Sequence, residues 1–239
     1  MRWLAVVCAV LLPPATWAKS PEPVDVAIVV ALDRSESIDR EEARAQIRGL
    51  IHTLTNSRFM QVVSSGPHGR IGLSVVAWSS FGRTELLLPW SVVAGPADAA
   101  RAAEILALDF ERQRTTRHGS QTDVAFAIEL GITQHEHLPW PATQRVINVV
   151  ADGISNIGRV ASVDRDRALK RGITINGLIM GRGSAIEVLS RYFKREVIGG
   201  PSAFVQVSRS NDDFAEAMLR KMLLEMVRLR AQPPERRAG

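Results

Sequence analysis

The chain has 239 residues, of which 46% are apolar and 23% charged, with a formal net charge of +5. That length suits one sizeable α/β domain, and the composition is ordinary for a globular protein. The positive excess is spread over many arginines, with no Lys/Arg block interleaved with aromatics, which argues against a nucleic-acid partner.

Residues 1–18 read as a secretory signal peptide. Arg2 gives a positive start, Trp3 to Leu12 form the apolar core, and Thr16-Trp17-Ala18 offers small residues for cleavage. The apolar run is too short to span a bilayer. The only cysteine, Cys8, lies inside this segment. The mature chain is therefore expected to lack disulfides and to depend on its core. These features predict an extracytoplasmic protein, periplasmic or secreted, with no stable membrane insertion after cleavage. Residues 19–23 read as a short lead.

Val24–Leu32 is an apolar run of the kind buried on both faces of a parallel sheet. It ends in Asp33-Arg34-Ser35-Glu36-Ser37. A helix is expected to begin near Ser37 or Asp39, with Glu41 and Glu42 complementing its dipole. Ala43, Ile47, Leu50, Ile51 and Leu54 give it one apolar face. Ser64–Gly69 is a turn cluster. Arg70–Trp78 and Thr84–Trp90 read as an antiparallel hairpin joined by Ser79–Arg83. Pro96 opens a helix that continues through Ala97–Leu108. Glu111–Ser120 is an arginine-rich loop without periodicity.

Gln121–His135 returns to a helical pattern, ended by Pro139 and Pro141. Arg145–Ala151 is a second buried-type strand, and it too ends in aspartate, at Asp152-Gly153. Further elements are a helix at Asp164–Arg171 capped by Gly172, a strand at Ile173–Met180, a helix at Ser184–Tyr192 and a strand at Ala203–Val207. The closing helix is Asn211–Arg230, with Phe214, Met218, Met222 and Met226 on one face. Residues 231–239 are expected to be a disordered tail. The alternation of strands and helices predicts an α/β fold: a doubly wound, mostly parallel sheet with one antiparallel edge strand and helices on both faces.

Three polar segments fall at strand or loop ends that such a sheet gathers at one edge. They are Asp33-x-Ser35-x-Ser37, Gly119-Ser120-Gln121-Thr122 and Asp152-Gly153. Two carboxylates and three hydroxyls are an all-oxygen set, suited to Mg²⁺ with retained waters. Each piece also has a plain structural reading: Ser37 or Asp39 as a helix cap, Thr122 as a first-turn residue, Asp152-Gly153 as a turn.

Asp33, Ser35, Ser37, Thr122 and Asp152, in this order, resemble the metal-ion-dependent adhesion site of von Willebrand factor A domains. The order of elements over 24–230 is similar to that fold. The phrases Ser65–Ile71, Gly172–Leu178 and Val197–Phe204 resemble one exported bacterial branch of the superfamily, a domain of unknown function. The resemblance implies that Ser35 and Ser37 bind the metal directly. It implies that Thr122 binds directly or shifts into the shell, and that Asp33 and Asp152 act directly or through water. The cation implied is Mg²⁺ first, with Mn²⁺ or Ca²⁺ as alternatives. A protein partner would supply an acidic residue to the open position, and the last helix would move as the shell rearranges. Two departures stand out. Glu36 occupies a position commonly held by glycine, and would be strained if that position needs a positive φ. Glu196 stands where the branch tends to carry a cysteine.

Other chemistries have less support. His135-x-His137 lacks a third ligand, and Trp78 and Trp90 read as packing residues. No Gly-x-Ser-x-Gly elbow, phosphate loop or dinucleotide fingerprint occurs. A binding protein is thus expected rather than an enzyme. The alternatives are a Mg²⁺-dependent phosphoryl hydrolase using Asp33 and an envelope protein with a degenerate metal site.

Overall fold

A computed structural model describes residues 21–112 and 121–230. Its elements run β1 (Val24–Asp33), α1 (Arg40–Thr55), α2 (Ser57–Ser64), β2 (Ile71–Trp78), β3 (Thr84–Val93), α3 (Pro96–Arg112) and α4 (Val124–Glu136). They continue β4 (Ala142–Ala151), α5 (Ala161–Lys170), β5 (Ile173–Met180), α6 (Ser184–Tyr192), a π-helical turn (Phe193–Val197), β6 (Val205–Ser208) and α7 (Asn211–Arg230). The signal-peptide segment, the tail 231–239 and most of the expected arginine-rich loop lie outside the described residues. No described helix is long and apolar enough to cross a membrane.

The strand order is β3-β2-β1-β4-β5-β6. β1 pairs in parallel with β2 on one side and β4 on the other, and β3 is the antiparallel edge strand. The architecture is therefore the doubly wound sheet that the sequence predicts. All ten residues of β1 are buried, because its two faces feed two cores. Val26, Ile28, Val30 and Leu32 pack with α1, α3 and α7, while Val29 and Ala31 pack with α4, α5 and the π turn. Each fully buried Val, Leu or Ile contributes about 1.5–3 kcal/mol of transfer free energy. The central strand is thus the costliest place to introduce a polar residue.

Several boundaries shift for local reasons. α1 begins at Arg40 because Asp39 caps it. The Asp39 carboxylate accepts from Glu41 N and Glu42 N, and the Glu42 side chain accepts from Asp39 N. α2 was not foreseen. Asn56 ends α1 in extended backbone, and its side chain then caps the next helix by accepting from Arg58 N and Phe59 N. α4 begins at Val124, not Gln121, because Asp123 caps it. Thr122 therefore lies in the preceding loop. α5 starts three residues earlier than expected and ends at Lys170, where Gly172 takes a φ of 67°. The assigned strands also differ from the expected spans at β3, β4 and β6.

Candidate functional site

β1 and β4 are neighbours in the sheet, so Asp33 and Asp152 emerge side by side at its carboxyl edge. Asp33 is fully buried. Its Oδ1 accepts a 2.7 Å bond from Ser35 N, which folds the loop back over the strand end. Ser35 Oγ lies 3.1 Å from Ser37 Oγ, and Ser37 Oγ donates to Asp152 Oδ1 at 2.8 Å. Two serine hydroxyls thus bridge two carboxylates. Thr122 is buried, and a Cβ added at Gly153 would stand 3.8 Å from its Oγ1. All five residues singled out from the sequence meet at one edge.

Two adjacent carboxylates, Asp33 buried and Asp152 half-buried, dominate the electrostatics of the site. Asp33 Oδ2 is buried and has no hydrogen-bond partner. Burial, opposed by the bonds from Ser35 and reinforced by the Asp152 charge, pushes the Asp33 carboxyl up to about 7. Burial also raises Asp152, with the Ser37 bond pulling the other way. A carboxylate oxygen facing no donor, next to a second carboxylate, is the arrangement that a bound cation would satisfy. The described residues hold no cluster of three or more His, Cys, Asp or Glu. The donor set is therefore two carboxylates with hydroxyls, suited to a hard cation rather than a thiolate or imidazole site.

Residues not singled out from the sequence hold this geometry. Arg34 is buried directly after Asp33, and its Nη1 donates to Gln46 Oε1 of α1 at 2.7 Å. Thr122 and Asn156 exchange two bonds: Thr122 N donates to Asn156 Oδ1, and Asn156 N donates to Thr122 O. Val124 N donates to Ser155 Oγ, as does the Tyr192 hydroxyl. Gly158 has a φ of 83°, and a Cβ there would stand 2.3 Å from Asp123 Oδ2, so only glycine lets this loop close on the α4 cap. Arg159 and Arg167 both bond the buried Asp164 carboxylate, which fixes the far end of the loop to α5. The Asn and Ser of Asp152-Gly153-Ile154-Ser155-Asn156 were the visible signal for this loop.

Glu36 is exposed and not in the left-handed region, since Ser202 is the described non-glycine residue with positive φ. The strain considered for it is absent. Glu196 accepts from Arg195 Nε at 2.7 Å. His135 and His137 do not converge. His135 Nε2 lies 3.0 Å from Val146 O inside the core, and His137 Nδ1 lies 2.9 Å from Thr133 O. Trp78 is buried and Trp90 donates to Gln134 O, as packing residues would.

A family profile described as "Protein of unknown function (DUF1194)" matches residues 23–230. No curated protein sequence matches the chain. Among solved structures, the chain is similar to proximal thread matrix protein 1 from the mussel byssus with a zinc-occupied MIDAS motif. The TM-score is 0.57 at 16% identity, over 88% of this chain and 49% of that one. It is similar to the von Willebrand factor type A protein from Catenulispora acidiphila, with a TM-score of 0.55 at 15% identity over 85% and 43% of the two chains. It also resembles the manganese-loaded TRAP protein of Plasmodium vivax, with a TM-score of 0.53 at 16% identity over 83% and 73%. The chain spans about half the length of the mussel protein. These likenesses show a von Willebrand factor A fold.

Proposed function

The chain belongs to the DUF1194 family, whose function is unknown, and we propose that it is an exported binding module that holds a divalent cation and, through it, an acidic residue of a protein partner. The observation that carries this reading is the buried, partnerless Oδ2 of Asp33 beside Asp152. Ser35, Ser37 and Thr122 would complete an oxygen set around the cation, with waters filling the remainder. Mg²⁺ suits two carboxylates best, and Mn²⁺ or Ca²⁺ are the alternatives. The cation supplies a positive centre with an exchangeable position. Ser37 already ties Asp152 to the β1 loop, and the Thr122–Asn156 pair holds the third loop in place.

The zinc-occupied MIDAS motif of the mussel protein and the manganese-loaded TRAP protein support the cation. The same edge carries exposed apolar side chains: Phe81, Ile154 and Ile157. Phe81 sits on Phe126 at 5.4 Å, in the hairpin whose Ser79 O accepts from Asp123 N. Apolar exposure beside a charged centre suits a protein partner better than a free small anion. We place residues 1–18 as a cleaved signal peptide, 24–230 as the module and 231–239 as a tail. The mature protein is then extracytoplasmic, periplasmic or secreted. Binding rather than turnover fits Asp33, since phosphatases with an aspartate nucleophile usually carry a second acid two residues on, and Ser35 stands there.

Titration calorimetry of the mature protein with Mg²⁺, Mn²⁺ and Ca²⁺ tests the reading. Binding heat that disappears in Asp33→Ala is expected. A wild-type protein that binds none of the three cations refutes it.

A further inference from the structure

The apolar seam of α7 does not by itself fix where the helix sits along its axis. Phe214, Met218, Met222 and Met226 recur every four residues, and all are buried. A slip of one turn, about 5.4 Å, places methionine on methionine over most of the seam. Methionine is unbranched and adapts its shape, so it resists such a slip weakly.

A second set of α7 side chains does not repeat. Lys221 and Glu225 are fully buried, one turn apart, against two asparagines of the sheet. Asn148 of β4 and Asn176 of β5 are direct cross-strand partners. Lys221 Nζ donates to Asn148 Oδ1 and, at 3.3 Å, to Glu225 Oε1. Asn148 Nδ2 donates to Glu225 Oε2 at 2.9 Å, and Asn176 Nδ2 donates to Glu225 Oε1. Asn176 Oδ1 accepts from Phe204 N at 3.0 Å. The Phe204 ring closes the cluster, with Lys221 Nζ 5.5 Å and the Arg228 guanidinium 4.6 Å from its centroid. Every side-chain nitrogen and oxygen of the quartet has a partner.

A slip in either direction breaks this pattern. Moving α7 so that Lys221 takes the place of Glu225 points an ammonium at two amide donors. Moving it the other way puts the Glu225 carboxylate where Lys221 was, against the Asn148 Oδ1 acceptor. Either way, buried polar groups lose their partners, which is the costliest outcome for such groups.

We propose that the Lys221–Glu225–Asn148–Asn176 quartet, strapped by Phe204, is a register lock that selects one axial position of α7 among those its methionine seam would accept. Buried polar groups serve this purpose best where an apolar pattern is degenerate, as the single buried asparagine does in coiled coils. If the cation reading holds, binding at the sheet's carboxyl edge leaves α7 in place. This departs from the moving last helix that the family resemblance implies.

The test uses methyl-labelled methionine and the mature chain in metal-free buffer. In the wild type, Met218, Met222 and Met226 are expected to give one sharp methyl signal each. In the double variant Lys221→Leu/Glu225→Leu, the same three signals should split or broaden, while Met60 and Met180 stay single. Three sharp signals in the double variant overturn the lock. Hydrogen exchange of the wild type checks it without any variant. The amides of α7 should exchange no faster than those of β1 and β4, and opening of α7 about tenfold faster or more overturns it. Added MgCl₂ should leave the three signals unmoved, and a shift common to all three refutes the static α7. Failure of Mg²⁺, Mn²⁺ and Ca²⁺ alike to bind refutes the cation reading alone, because the lock is read without metal.

Discussion

Removing the charge of Asp33 should stabilise the metal-free protein while it destroys the cation site. The carboxyl is buried, one oxygen has no partner, and its ionisation is held off until about pH 7. An acid with a raised folded-state pKa contributes stability that is full below its unfolded value of 3.8 and is lost as pH rises through about 7. The loss across that window is about 4 kcal/mol, at 1.36 kcal/mol per pH unit. Asp33→Asn escapes it but gives up a charge-assisted bond from Ser35 N, so the expected net gain at pH 8 is about 2–3 kcal/mol. For a domain of this size that raises Tm by roughly 5–10 °C. At pH 4 the two proteins should be nearly equal. Mg²⁺ at about 1,000 times its Kd should reverse the order, since it adds roughly 4.1 kcal/mol to the wild type and nothing to the variant. Urea unfolding in EDTA at both pH values, repeated with MgCl₂, reads all of these terms. The reasoning is refuted if Asp33→Asn is no more stable than wild type at pH 8 without metal, or if the gap between them ignores pH.

His135 pulls the other way. Burial lowers its ring to about 4 from 6.5, so its contribution is full above pH 6.5 and is lost as pH falls through about 4. That loss is about 3 kcal/mol, and it should vanish in His135→Gln when the acid limbs of the two unfolding curves are compared. At the α7 lock, Lys221→Met or Glu225→Leu alone should cost about 3–5 kcal/mol, and the double variant far less than their sum. A double-mutant cycle by urea unfolding measures the coupling, and additive singles would count against a paired cluster. A Cβ at Gly131 would meet Ile147 side-chain atoms at 2.7–2.9 Å. Gly131→Ala should therefore lower stability by about 1 kcal/mol or more despite the better helix propensity, visible as a reduced Tm.

The centre of the sheet was legible because β1, β2 and β5 are buried on both faces and read as largely apolar runs. Ile173–Met180 falls as expected for that reason, and Asn211–Arg230 because its apolar residues repeat at helical spacing. The aspartates of the candidate site stood out because they end the β1 and β4 runs, whereas Thr122 was placed by its resemblance to a motif. What the sequence hid were charges placed inside. Lys221 and Glu225 sit at i and i+4, the spacing of an exposed surface pair, and only the asparagines of β4 and β5 reveal that they face inward. Arg34 looked like a loop residue, and its burial depends on Gln46 of a helix packed only after the chain folds. α2 was missed because Asn56 ends one helix and starts the next, which reads as a break rather than a corner.

The last helix also has a bearing on how the chain is made. α7 covers the same core as β1 and α1, and Phe214 packs against Gly49 of α1. The first strand and helix therefore leave the ribosome long before the segment that closes over them. Until α7 is complete, the face of Ile47, Leu50 and Leu54 lacks its cover. A chain stalled or cut before Asn211 would expose that surface and be a ready substrate for chaperones and proteases. The core is thus left open in any chain that lacks its twenty-residue closing helix, and pulse proteolysis of chains truncated at Arg209 should find them cleaved at rates set by an open core.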